Sequence, residues 1–239
     1  MFELLFKAPD PSVDGFQYAG VLSQNQFISY NDLVSALAPT TPFAEQTGFK
    51  YFVFRDGNVQ LVVPSHPIGR ATYNSIYLQG AVFGTNDTDR VPNGASATLQ
   101  NKIITVQGQQ YRVRLMNGVP GDTHSVEETI NTPSWDPQTE FDQLILNIWN
   151  ISDAIKNLID YEDNGVPAAQ KVTKVNFTGS TNSWAWVKGS LNTRAFGRGR
   201  FDTNYPDSTA YPFKFVQFTS NLLASTSLNG VWWPVFEKV

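Results

Sequence analysis

A basic, glycine-rich segment at 194–201, RAFGRGRF, carries the side chains best suited to recognise an anion. Arg194, Arg198 and Arg200 lie close enough in sequence for their guanidinium groups to hold phosphate or carboxylate oxygens bidentately. Two glycines alternate with them, which permits a close approach of the backbone. An anionic surface glycan or a lipopolysaccharide phosphate would suit this patch. The alternative interpretation is a surface loop whose arginines pair with acidic residues of a neighbouring subunit.

Two tyrosines follow this basic segment in a stretch that also carries proline. Tyr205 and Tyr211 each precede a proline, which is typical of an exposed loop. Aromatic rings are enriched where proteins contact partners. We therefore expect Tyr205 and Tyr211 to face outward.

Carboxylates suited to hydrolysis occur at Asp160, Glu162 and Asp163, where one could act as an acid and another as a nucleophile. A further acidic segment at 121–128 surrounds His124. Both segments are more typical of solvated helix ends and loops, and no Gly-x-Ser-x-Gly nucleophile motif occurs in the chain. The sequence therefore predicts no catalytic residue, no metal site and no cofactor.

Five of the six tryptophans are predicted to form a structural core. Trp184 and Trp186 are separated by one residue, so on a strand both face the same side. Rings on one face either stack on sugars or fill a core. The core interpretation is favoured because other tryptophans offer neighbours, and the predicted set is Trp149, Trp184, Trp186, Trp232 and Trp233.

Composition restricts the class of protein. The chain has 239 residues, of which 41% are hydrophobic and 16% charged, and this excludes a wholly disordered chain. It has no cysteine, which excludes disulfides, thiolate metal sites and a cysteine nucleophile. The net charge of −4 argues against a general nucleic-acid binder. No apolar run is long enough to span a bilayer, and the first residues lack the basic region of a secretory signal.

The N-terminal third predicts two short helices and a hairpin. Ser29 is a candidate N-cap with Asp32 three residues on, and a proline ends this helix near Ala38. YFVF and VQLVV, at 51–54 and 59–63, flank an Asp-Gly pair typical of a hairpin turn. A second helix is predicted to end at Gly80.

The C-terminal part predicts a second hairpin followed by a helix. KIITV and YRVRL, at 102–106 and 111–115, flank Gly108-Gln109, and the alternation in the second run places Arg112 and Arg114 on a solvated face. Asp136 then caps a helix with an apolar stripe. The polar stretch at 84–97 separates the two patterned parts, so it is interpreted as a linker or long loop. The fold class is predicted as α+β and β-rich, with a small α/β module at 1–83 and a second domain at 98–239.

Four segments in order resemble a group of tailed-bacteriophage virion proteins: KIITVQGQQYRVRLMNG (102–118), PQTEFDQLILNIW (137–149), WAWVKGS (184–190) and GVWWPVFEKV (230–239). FISYNDLVSAL (27–37) is similar to a segment near the amino termini of that group. Two residues depart from the group's pattern, since Trp233 stands where arginine is usual and Phe236 where leucine is usual.

The resemblance implies a C-type-lectin-like fold for 98–239, with long loops on one exposed face. It also implies a virion protein that is made in the host cytoplasm, assembles as a homo-oligomer with other virion proteins, and does not insert into a membrane. Tyr205-Pro206-Asp207 is similar to the X-Pro-Asp loop of sugar-binding lectins, which adds Asp207 to the candidate contact residues. Three functions remain open: an exposed appendage that contacts the host surface, a decoration or adaptor protein, and a small glycan hydrolase.

Overall fold

The computed structural model describes most of the first half of the chain and parts of the second. The described residues are 15–37, 44–45, 49–65, 67–92, 94–118, 139–141, 143–144, 184–188, 195–198, 215–218 and 230–239. They are mostly β-sheet with few helices, which confirms the predicted β-rich α+β class.

Two six-stranded sheets contain all the named strands. The elements in the first part of the chain are β1 (Gln17–Leu22), a 3-10 turn (Gln24–Gln26), α1 (Tyr30–Leu37), β2 (Ala44–Glu45), β3 (Tyr51–Asp56), β4 (Val59–Pro64), β5 (Gly69–Arg70) and α2 (Tyr73–Leu78). Those that follow are β6 (Ile103–Val106), β7 (Gln109–Leu115), β8 (Trp184–Val187), β9 (Ala195–Arg198), β10 (Phe215–Phe218), β11 (Gly230–Trp232) and β12 (Pro234–Lys238).

The first sheet has the strand order β1-β3-β4-β12-β7-β6, and each neighbouring pair in it is antiparallel. The second has the order β10-β9-β8-β11-β5-β2, in which β11 and β8 are parallel. Trp233 alone separates β11 from β12, so the chain passes from the second sheet to the first at that residue.

Strands from both sides of the 84–97 segment share these sheets. In the first sheet β4 pairs with β12, and in the second β5 pairs with β11. One apolar core likewise contains side chains from both parts, such as Tyr51 and Leu33 together with Val113 and Phe236. The described part of 84–97 contains neither helix nor strand, as a long loop requires, and it connects α2 to β6.

Local sequence signals account for the first helix. The Asp32 N–H donates to the Ser29 hydroxyl at 3.1 Å, and that hydroxyl donates to the Asp32 carboxylate at 2.6 Å. These bonds satisfy polar groups that a helix start would leave open, and they confirm the predicted cap. Ile28 and Leu33 are both buried beside it. The second helix behaves likewise, since Thr72 caps it and Gly80 adopts a φ of +71° just beyond its end.

Both predicted hairpins form. The turn of the first lies one residue later than the sequence predicts, and the turn of the second lies one residue earlier. In the first, Asp56 pairs with Val59, so the turn residues are Gly57 and Asn58. In the second, Val106 pairs with Gln109, which places the turn at 107–108 rather than at Gly108-Gln109. Both residues of that turn have positive φ, +50° and +79°, as a two-residue turn matched to the strand twist requires.

Candidate functional site

The sequence-predicted anion site lies largely outside the described residues. Arg194, Arg200, Tyr205, Asp207 and Tyr211 fall there. The backbone of the basic segment is described at 195–198 only, where it forms β9 and not the predicted loop. These residues form a strand because they pair with a neighbouring strand on each side: Arg198 lies opposite Ala185 of β8 and opposite Phe215 of β10.

The hydrolase candidates also lie outside the described residues. His124 and its acidic neighbours at 121–128 fall there, as do Asp160, Glu162 and Asp163. Within the described ranges, no group of three or more histidine, aspartate or glutamate side chains lies together as a metal site would need.

Three tryptophans of the predicted core are buried in the described structure. Trp186, Trp232 and Trp233 are each at most 1% exposed. The Trp233 indole N–H donates to the Pro64 carbonyl at 2.7 Å, and the Trp186 indole N–H donates to the Ala71 carbonyl at 2.8 Å. All three rings therefore fill the core, and those of Trp186 and Trp233 also connect C-terminal residues to the N-terminal part. The Trp149 residue and the Trp184 side chain lie outside the described structure.

The densest polar arrangement in the described structure is a cluster of five charged side chains, here called the charge cluster. Its members come from β7, β12, the residue after β8 and the helical residues at 140–141, and they are Arg112, Arg114, Glu140, Lys188 and Glu237. Sequence reasoning placed the two arginines on a solvated face. That expectation is wrong for Arg114, which is only 6% exposed.

Arg114 is the centre of the charge cluster. Two of its guanidinium nitrogens donate to the two oxygens of Glu140, each at 2.7 Å, in a bidentate pair. Its Nε donates to Glu237 at 2.7 Å, and Arg112 donates to the other Glu237 oxygen at 3.0 Å. Such charge-assisted forks are the strong hydrogen bonds of proteins because both geometry and charge match. These partners explain how an arginine can be buried on this face.

Burial and pairing act in opposite directions on these ionisable groups. Burial alone would lower the pKa of Arg114, but its two carboxylate partners outweigh burial and raise it. Burial alone would raise the pKa of Glu140, but the adjacent Arg114 charge outweighs it and lowers the pKa. Both groups are therefore ionised at neutral pH. Glu140 is held as an anion by hydrogen bonds, which suits a fixed ion pair and not a proton donor.

Backbone contacts hold the same region together. The Asn117 N–H donates to Glu140 at 2.8 Å, and the Phe141 N–H donates to the Asn117 carbonyl at 2.9 Å. Asn117 also forms a parallel bridge with Lys188, whose N–H donates to Met116 at 3.0 Å. The end of β7 is thereby connected to the helical residues and to the end of β8.

Each of the four sequence segments named in the resemblance contributes to the charge cluster. The hairpin segment 102–118 supplies both arginines, 137–149 supplies Glu140, 184–190 supplies Lys188, and 230–239 supplies Glu237. The sequence signal for the charge cluster is an Arg-x-Arg pair in one predicted strand and a glutamate in the last strand. These two strands lie more than a hundred residues apart, so the sequence alone does not indicate that they pair.

Comparisons with known proteins leave the site to be judged from its own geometry. No family model matches the chain, and neither a curated protein nor a solved structure matches it. Among the described residues, no helix is both long enough and apolar enough to cross a membrane.

Proposed function

We propose that this chain is a non-enzymatic structural protein of a tailed-bacteriophage virion. It would be exposed as part of an appendage, such as a tail fibre, baseplate, collar or capsid fibre. Residues 98–239 would carry a C-type-lectin-like display face and residues 1–83 an attachment or assembly face, on sheets that the two parts share. The protein would be made in the host cytoplasm, assemble as a homo-oligomer with other virion proteins, and contact a glycan or lipopolysaccharide of the host surface.

The observation that carries this proposal is the meeting of the four resembling segments at one place. Ion pairs join three of these segments, which lie up to 125 residues apart in the chain, and the Lys188 N–H joins the fourth by donating to the Met116 carbonyl. If the resemblance were accidental, there would be no reason for its separate segments to pack around shared side chains. Their convergence at the charge cluster supports an interpretation of them as the framework of one fold.

A framework of this kind suits display better than catalysis. The carboxylates of the charge cluster are already committed to arginines, so they hold strands in place and leave the connecting segments free to vary. Recognition by variable loops on a rigid scaffold is a general solution in proteins. Four residues of the basic segment 194–201 form β9 of the second sheet, and Arg194 and Arg200 flank that strand in the sequence. These two flanking arginines would be one such displayed contact.

The decisive experiment is a reconstruction of the intact phage particle whose genome encodes this chain. We expect the chain at fixed copy number and symmetry, with residues 194–212 facing outward and uncovered. Particles that contain no copy of the chain would refute the proposal. If the chain is present but another virion protein covers 194–212, the function is that of a decoration or adaptor protein.

A paired binding assay separates adhesion from assembly. The double substitution Arg194→Ala and Arg200→Ala should weaken binding of the purified protein to host cells while leaving its incorporation into particles unchanged. A matched control is Arg55→Ala, which removes a partly buried arginine of β3 in the first sheet. Turnover of host polysaccharide by the purified protein would instead favour the glycan hydrolase, with Asp160 and Glu162 as the first carboxylates to replace.

A further inference from the structure

A polar groove lies between the start of α1 and the edge strand β6. It has a volume of about 440 Å³, within the range of about 300–1,000 Å³ that small-molecule sites occupy. One wall is formed by the 3-10 turn and the first residues of α1. The other is formed by Thr105, Val106 and Gln107 at the end of β6.

The floor of the groove is apolar but almost inaccessible. Phe27, Ile28 and Val106 are 6%, 8% and 6% exposed. The Phe27 ring is fixed by edge-to-face contacts with Tyr51 and Tyr111, at centroid distances of 4.7 and 5.0 Å. A ligand in the groove would therefore meet mainly polar atoms above a rigid base.

Several polar groups at the rim are not used by the fold. Among the described residues, neither the Asn25 side chain nor the Thr105 hydroxyl makes a hydrogen bond, and both residues are exposed. Asp32 uses one carboxylate oxygen for the Ser29 hydroxyl, which leaves the other for a ligand. Gln107 donates through its amide nitrogen, and its amide oxygen accepts no bond from the described residues.

The two walls are held in place before any ligand arrives. The Gln107 amide donates to the Gln26 carbonyl at 2.9 Å, which joins the β6–β7 turn to the 3-10 turn across 81 residues of sequence. Gln107 does so from a backbone φ of +50°, where non-glycine residues are uncommon. On the other wall, the Gln24 amide donates to the Phe49 carbonyl and accepts from the Tyr30 N–H. Preformed walls reduce the ordering cost of binding.

We infer that this groove binds a neutral, polyhydroxylated ligand, namely one or two sugar units of a glycan. Amide, hydroxyl and carboxylate groups can each bond to a sugar hydroxyl, as donors or acceptors, and the rim supplies all three. None of the described residues that line the groove carries a positive charge, and Asp32 is acidic, so an anionic sugar is disfavoured. A peptide would need accessible apolar anchors, which the buried floor does not provide.

The groove would bind such a ligand whether or not the chain is a virion component. It lies beside the first sheet and shares no residue with the basic segment 194–201. Failure of sugar binding and failure of the virion proposal are therefore distinguishable.

The test is saturation-transfer NMR on the full chain with single soluble sugars. The probes are glucose, galactose, N-acetylglucosamine, lactose and maltose, with glucuronic acid and glucose 6-phosphate as the anionic comparison. We expect transfer to at least one neutral sugar and weaker transfer to both anionic ones. No transfer to any neutral sugar at high millimolar concentration, or a preference for the anionic probes, would overturn the inference.

Two variants locate the binding. Asn25→Ala and Thr105→Val each remove one exposed hydrogen-bonding group, and each should raise the dissociation constant by about tenfold. The matched control is Asn31→Ala, which removes an exposed asparagine of α1 that does not line the groove. Urea denaturation checks that all three variants remain folded. Sugar binding that is unaffected by both groove variants would place the ligand elsewhere and refute the inference.

Discussion

The ammonium group of Lys188 makes the charge cluster sensitive to alkaline pH. Burial, with a further contribution from the nearby Arg114 charge, lowers the pKa of Lys188 from 10.5 to about 8. The carboxylates of Glu140 and Glu237 raise this pKa, and the more weakly acting Arg90 charge lowers it. At neutral pH the cluster thus holds a lysine whose charged form is disfavoured by the fold.

The sign of the pH effect follows from proton linkage. Between pH 8 and pH 10.5 the unfolded chain keeps a proton on Lys188 that the folded chain has lost, so the free energy of unfolding rises with pH. A depression of roughly 2.5 pKa units corresponds to about 3 kcal/mol in full, of which about 2 kcal/mol appears between pH 7 and pH 10. The gain is absent well below pH 8, where both states are protonated.

The assay is urea denaturation of the wild type and of Lys188→Met at several pH values from 7 to 10. The wild type should gain about 2 kcal/mol relative to the variant over this range. Buried tyrosines such as Tyr77 and Tyr111, whose pKa values are raised by burial, penalise the fold above pH 10, but they do so in both proteins. Lys102→Met serves as the control. Parallel pH curves for wild type and Lys188→Met, or an equal divergence for Lys102→Met, would refute the reasoning.

Three further predictions concern the charge cluster, the glycine beside it and the buried Gln100 side chain, each measured by urea denaturation. Glu140→Gln breaks the buried pair with Arg114 and should lower the free energy of unfolding by about 3–5 kcal/mol; a loss below about 1 kcal/mol would show that the pair is not buried as described. Gly84→Ala should lower the free energy of unfolding more than Gly57→Ala does. Both glycines have a positive φ, but only at Gly84 would the new methyl group meet a side chain, 2.7 Å from the Arg114 Cδ. The left-handed conformation alone accounts for about 1–2 kcal/mol, so equal losses would show that Arg114 moves aside. Gln100→Leu removes three hydrogen bonds of a buried side chain to the backbone and should cost about 2–3 kcal/mol, with faster amide exchange at 80–100 as its local signature.

Elements set by neighbouring residues were predictable from the sequence. The cap formed by Ser29 and Asp32 spans three residues, and both hairpins carry their turn signals between adjacent strands. The glycine signal predicts the turn of the second hairpin one residue too late, because the pairing of Val106 with Gln109 fixes the turn at 107–108. Gln107 tolerates a positive φ there, and its side chain is held by a bond to a distant carbonyl.

Features that depend on distant partners were not predictable. Arg114 alternates with buried residues and so looks solvated, yet its partners lie 26 and 123 residues away. The strand order of the sheets was not predictable either, because no residue near β4 in the sequence indicates that β12 is its neighbour. The groove was missed for the same reason, since its walls come from 24–36 and 105–107.

The position of the charge cluster affects how any loss of function must be interpreted. Glu237 lies in β12, which is central in the first sheet, and Trp233 leads directly from β12 into β11 of the second. Breaking the cluster therefore loosens the strand that connects both sheets, including the sheet that carries the basic segment. A cluster variant that fails to bind host cells would look like a receptor-site variant. Only substitutions for which the measured free energy of unfolding is unchanged can assign a contact to its binding surface.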